Sequence, residues 1–295
     1  MRINHLMVDT DWLESHLNDP KLRLLDATVI MKQDENGVDI SSGKEEYVKE
    51  HIPGAVFADL IHELSDPEAA LPLTAAQHDE FVQKISELGV GDGTYVVVYD
   101  RGPVVGASFS ASDWASRLWW QLRLEGFDEV YILAGGLPKW KEEERRLTSE
   151  LGSYPKATFT GKRRPELLAS KEDMIEAMNS SSTVIVNCLS PAEFKGETNA
   201  YPRNGHIPNS KNVFFGDVTD PKTKGLPDRE KLQELFAPVG ALDKSKKVIT
   251  YCGGGIAATW NALALFALGR EDVAVYDGSM VEWSSDESLP IEVGE

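Results

Sequence analysis

Cysteine is scarce in this chain, with only Cys188 and Cys252 among 295 residues. Neither belongs to a CxxC pair or to a metal-ligand spacing. A disulfide framework and a zinc site are therefore excluded, and both residues are expected as free thiols in a reducing compartment. Basic charge is also in deficit: 30 Lys and Arg stand against 48 Asp and Glu, for a formal charge of -18. A chain so acidic gains nothing from counterion release along a phosphate backbone and is repelled by an anionic bilayer, which argues against nucleic-acid and membrane partners. No apolar run approaches the roughly 18 residues of a membrane span. The opening stretch MRINHLMVDT lacks the basic flank, apolar centre and small-residue cleavage site of a signal peptide, so the expected location is cytoplasmic.

What is present is an ordinary globular composition, 41% hydrophobic and 26% charged, long enough for two domains. Three segments recur in the same order. HIPGAVFADL from His51 returns as HIPNSKNVFFGDV from His206; YVVVYD ending at Asp100 returns as KVITYC ending at Cys252; GGLPKW ending at Trp140 returns as GSMVEW ending at Trp283. The offsets are 155, 152 and 143 residues, a domain-sized period that marks a tandem duplication and not a solenoid. The expected division is a first domain over 1–147, a polar linker over 148–164 and a second domain over 165–295.

Within each copy, β-rich runs such as Val96 to Tyr99 and Val184 to Val186 alternate with helix-period segments such as Ala75 to Leu88, Ser112 to Leu124 and Lys171 to Met178. Alternation of this kind predicts an α/β fold, each domain a mostly parallel sheet flanked by helices. Trp119, Trp120, Trp140 and Trp283 are expected in the core, and the run KEEERR from Lys141 is expected as a solvated helix face.

The stretch from Lys247 to Leu268 carries the chemistry. A strand (VITY) ends at Cys252, three glycines follow, and an apolar helix pattern (IAATWNALALFAL) begins at once. Open α/β sheets place ligands at such strand-to-helix turns. Gly253, Gly254 and Gly255 allow successive N–H groups to converge on one point, an anion-binding nest under the sulfur. A helix dipole alone lowers a thiol pKa by about one unit at most. Hydrogen bonds from the loop would have to supply the rest, from a free value near about 8.5. Cys188, on the apolar strand TVIVNCL without such a loop, reads as structural.

YCGGGIAATWNALAL and VAVYDGSMVEWS together resemble the active-site loop and following strand of tandem rhodanese-domain sulfurtransferases. GHIPNSKNV and HIPG resemble that family's signature in each copy. The resemblance spans nearly the whole chain. It implies two tandem rhodanese-like domains with the active site between them, and a catalytically silent first copy whose cysteine position holds Asp100. It further implies a Cys252 persulfide formed from thiosulfate or 3-mercaptopyruvate and passed to cyanide or a thiol acceptor, a thioredoxin-like protein among the candidates. The loop N–H groups of Gly253, Gly254, Gly255, Ile256 and Ala257 would hold the terminal sulfur, and neither a cofactor nor a metal is required.

Two rivals are weaker. Cysteine phosphatases of the Cys-x5-Arg type need an arginine where Ala258 stands, and a non-enzymatic rhodanese-like sulfur-carrier or regulatory module would not need to keep its cysteine. The loop matches neither main subfamily, since thiosulfate enzymes usually follow the cysteine with Arg-Lys and mercaptopyruvate enzymes usually read Cys-Gly-Ser-Gly-Val-Thr. The approach PAEFKGETNAYPRNGHIP resembles the mercaptopyruvate subfamily's stretch with two carboxylate-binding arginines. Arg203 matches the second and is expected to bind the donor anion; Glu193 replaces the first, with Lys195 nearby. His51 and His206 are expected to fix loops by hydrogen bonding.

Overall fold

The computed structural model describes residues 6–34, 37–102 and 112–294. Two compact units are present, Met1–Arg164 together with Pro221–Gly225, and Pro165–Asp220 together with Leu226–Glu295. Each holds a five-stranded sheet with every pairing parallel. In the first unit the order across the sheet is Met7–Val8, Val130–Leu133, Tyr95–Tyr99, Leu22–Asp26, Val56–Phe57. In the second it is Leu168–Ala169, Val273–Tyr276, Lys247–Tyr251, Thr183–Asn187, Lys211–Asn212. Numbered along the chain within each unit, both sheets run 1-5-4-2-3, so the duplication seen as three short repeats extends to the whole topology. The central strands are buried along nearly their whole length, which is why they read as continuous apolar runs and not as alternation. The first unit adds an antiparallel hairpin, Val29–Asp34 with Gly37–Ser42.

The expected helices are present, over His78–Glu87, Asp113–Leu124 and Lys171–Ala177. All twelve residues of Asp113–Leu124 are buried, including its polar ones. Arg117 donates to the Leu73 carbonyl at 2.6 Å and Gln121 to that of Leu64 at 2.7 Å, so loop carbonyls take up these two donors, while the Asp113 carboxylate is buried without a hydrogen-bond partner among the described residues. The four tryptophans expected in the core are buried. Among the described residues, no helix is long and apolar enough to cross a membrane.

Two expectations need correction. The stretch 148–164, expected as a polar linker, is packed along the first unit: Thr148 and His51 exchange backbone hydrogen bonds at 2.8 and 2.9 Å, Tyr154 donates to the Gly54 carbonyl at 2.8 Å, and Arg164 N–H donates to that of Leu124 at 2.6 Å. Its polarity misled because backbone pairing, and not apolar burial, fastens it. The run from Lys141 is helical only through Glu142, where the helix Gly136–Glu142 ends. The run is solvated as expected, with Lys141, Glu142, Glu143, Glu144 and Arg146 exposed; Arg145 alone folds back, over the Trp140 ring at 5.4 Å, and pairs with Glu14, Glu143 and Asp11.

Candidate active site

Cys252 follows directly on the central strand Lys247–Tyr251, and the helix Ala257–Ala267 starts five residues later. Tyr251 anchors the strand end from below. Its hydroxyl accepts the Ile207 N–H at 3.0 Å and bonds the Ser210 hydroxyl at 2.9 Å, tying the strand to the second histidine motif. His206 stacks on Phe194 with centroids 3.7 Å apart and pairs with the Phe194 carbonyl at 2.7 Å. His51 does the same in the first unit, stacked on Tyr47 at 4.0 Å and paired with its carbonyl at 2.6 Å. Both histidines are spent on loop geometry.

The loop is locked from a second side by a residue that sequence reasoning missed. The buried Ser279 hydroxyl accepts the N–H of Cys252 at 3.0 Å and of Gly255 at 3.1 Å while donating to the Tyr276 carbonyl at 2.8 Å. Ser279 holds a φ of 49°, in the left-handed region that costs a side-chain residue energy. The next two N–H groups, of Met280 and Val281, donate to the carbonyls of Cys252 and Gly253 at 3.1 and 2.9 Å. The signal for Ser279 lay in the repeat: GSMVEW places it opposite Gly136, whose φ is 54°.

The three glycines differ in purpose. Gly255 takes a φ of 74°. A Cβ on Gly253 would lie 2.5 Å from the Tyr201 hydroxyl, whereas a Cβ on Gly254 would meet nothing within 4 Å. Only two of the three are therefore constrained by backbone or packing, contrary to the expectation of one shared role.

Cys252 is 2% exposed, and burial pushes its thiol above the ordinary value. Backbone N–H groups of Ala258, Gly254, Ile256 and Gly255 pull it down. Gly254, Gly255 and Ile256 were among the expected N–H groups and Ala258 was not; in the resting chain lost hydration outweighs all four, against the expectation of a lowered thiol pKa. Ala258 contributes most among these N–H groups, an orphan donor of the helix's first turn. Ile256 caps that helix and Ala257 begins it. Cys188 is fully buried, its N–H bonded to the Tyr251 carbonyl at 2.8 Å.

Arg203 does not reach for a donor. Its guanidinium donates to the carbonyls of Ser284 at 2.9 Å, Leu289 at 2.7 Å, Trp283 at 3.1 Å and Asp286. Four of its five N–H groups thus pin the last turn of the helix Ser279–Ser285 and the segment that follows it, and the anion-binding expectation is replaced by a structural one. Glu193 accepts from the N–H and hydroxyl of Ser190 at 3.1 and 2.6 Å, closing the capping box of the short helix Pro191–Phe194. In the first unit Asp100 stands where Cys252 does. Its carboxylate accepts the N–H of Gly102 at 2.9 Å and of Ala115 at 3.0 Å, and burial pushes it up to about 6.

Comparison with known proteins agrees with this geometry. The rhodanese-like domain family matches residues 9–143 and 170–286. A 3-mercaptopyruvate sulfurtransferase of Escherichia coli K12 is 32% identical over 288 residues, covering 97% of each chain. The mitochondrial thiosulfate/3-mercaptopyruvate sulfurtransferase 1 of Arabidopsis thaliana is 31% identical over 310 residues, covering 97% of this chain and 78% of its own. The crystal structure of SseA from Escherichia coli, a 3-mercaptopyruvate sulfotransferase of the rhodanese fold, superposes with a TM-score of 0.78 at 31% identity, over 92% of this chain and 98% of that one. The chain belongs to the rhodanese-like domain family, of which it carries two tandem copies.

Proposed function

We infer that this rhodanese-type sulfurtransferase carries its sulfur as a persulfide on Cys252, taking it from 3-mercaptopyruvate or thiosulfate and passing it to cyanide or a thiol acceptor. The observation that carries the reading is the placement of the Cys252 sulfur just past a strand end, beside the N–H groups of Ala258, Gly254 and Ile256 and that of Gly255, which is shared with the Ser279 hydroxyl. In the first half-reaction the Cys252 sulfur bonds the donor's outer sulfur. The bond from that sulfur to carbon in 3-mercaptopyruvate, or to the central sulfur in thiosulfate, breaks, and its electron pair leaves with pyruvate enolate or sulfite; the enolate takes a proton. In the second half-reaction the acceptor attacks the outer sulfur and returns Cys252 as thiolate. The N–H groups cannot alone keep the resting thiol ionised, but they await the negative charge that develops on the transferred sulfur.

Asp100 has no sulfur to offer, and its own carboxylate occupies the N–H groups of Gly102 and Ala115, which supports a silent first copy. Two free cysteines suit a reducing compartment such as the cytoplasm. With Arg203 engaged elsewhere and Glu193 in the other arginine position, no guanidinium from this stretch grips a dianion. The singly charged 3-mercaptopyruvate should therefore be the better donor. Steady-state kcat/KM with each donor and cyanide tests this; a clear preference for thiosulfate contradicts it.

A further inference from the structure

The persulfide chemistry makes no use of Tyr201, the residue whose hydroxyl packs over Gly253. Tyr201 is half-buried, its backbone N–H is held by the Asn204 side chain at 3.3 Å, and among the described residues its hydroxyl has no hydrogen-bond partner. That hydroxyl lies over Gly253, 2.5 Å from where a Cβ would stand, so the absence of a side chain at 253 is what admits it to the residue next to Cys252. Next to it, the space over Gly254 is open, with nothing within 4 Å of a Cβ there.

Building on the persulfide reading, we propose that Tyr201 is the group that binds and stabilises the departing half of the sulfur donor, through a hydrogen bond from its hydroxyl to that half's charged oxygen. Of the two positions from which the resemblance would bring anion-binding arginines, one holds the carboxylate of Glu193 and the other holds Arg203, whose guanidinium is committed to backbone carbonyls. A neutral donor remains, and it stays a donor. Burial, followed by the charges of Glu193 and Cys252, holds the phenol protonated far above its ordinary value. When the Cys252 sulfur bonds the donor's outer sulfur and the old bond breaks, the electron pair goes to the departing sulfite, sulfinate or enolate. Charge grows on that group's oxygens as it leaves. A hydrogen bond made there strengthens in the transition state, whereas the acceptor step, which expels no such group, gains nothing from it.

The test separates the two half-reactions. Wild type and Tyr201→Phe are mixed with thiosulfate, 3-mercaptopyruvate or a series of ring-substituted benzenethiosulfonates, and the gain of one sulfur on Cys252 is timed by mass spectrometry; cyanide then unloads it. Tyr201→Phe should load about 10- to 100-fold more slowly, the scale of one hydrogen bond to a charged group. It should unload at the wild-type rate, with a loading deficit that widens as the departing sulfinate becomes more basic. That widening is a ratio within one variant, so it survives partial unfolding of the preparation. Loading at the wild-type rate overturns the proposal. So does a deficit equal in both half-reactions and indifferent to the leaving group, which would make Tyr201 a mere prop of the loop. A wild-type chain that gains no sulfur from any donor overturns the persulfide reading itself, and is told apart because it needs no variant.

Discussion

Replacing Ser279 separates two opposed energies that meet at one residue. Its hydroxyl is the acceptor for two buried N–H groups of the sulfur loop, those of Cys252 and Gly255. Leaving one buried donor unpaired costs about 1–3 kcal/mol. Against this stands the φ of 49°, which costs a non-glycine residue about 1–2 kcal/mol. Ser279→Ala removes both acceptor interactions and keeps the strain, so it should destabilise the second unit by about 2–6 kcal/mol. Ser279→Gly removes the same interactions but relieves the strain, and should be about 1 kcal/mol more stable than the alanine variant despite its greater chain entropy. Urea unfolding gives the stabilities, and amide hydrogen exchange at Cys252 and Gly255 reports the loop directly; both amides should exchange faster in either variant. An alanine variant within about 0.5 kcal/mol of wild type, the range of an inert surface change, would refute the reasoning, as would one more stable than the glycine variant.

Gly255→Ala should lower kcat strongly because of its φ of 74°, while Gly254→Ala, with open space at its Cβ, should keep most of the activity; steady-state kinetics with one donor decide it. Arg203→Ala should lower the melting temperature while leaving donor KM near wild type, since its guanidinium ties backbone carbonyls and no donor. The Asp100 carboxyl should titrate near pH 6 by carbon NMR. Its folded pKa lies above the unfolded value of about 3.9, so the stability it contributes is full below about pH 4 and is lost as pH rises through about 6. A titration near 4 would mean that this carboxylate is hydrated and not buried.

The duplication was legible because its three repeats mark equivalent points of the two sheets, and Cys252 because a cysteine, three glycines and an apolar helix leave few other readings. Ser279 and Tyr201 were hidden for a different reason. Each acts on the loop from a distance in sequence, through contacts that follow from a positive φ and from a missing Cβ, and neither residue type is unusual where it stands. Arg203 was misjudged because a motif position records a residue and not the direction of its side chain; four carbonyls at the end of the helix Ser279–Ser285 and just beyond it reach it first. The thiol was misjudged in sign because counting N–H groups omits the water lost by a sulfur 2% exposed.

The central claim is that sulfur rides on Cys252 and nowhere else. Intact-mass and peptide mass spectrometry after incubation with 3-mercaptopyruvate tests it most directly, on wild type, Cys252→Ser and Cys188→Ser. One added sulfur on the peptide holding Cys252 is expected in wild type and in Cys188→Ser, with none in Cys252→Ser, together with loss of thiocyanate formation in that variant alone. Sulfur found on Cys188, or turnover near the wild-type rate in Cys252→Ser, would contradict the account.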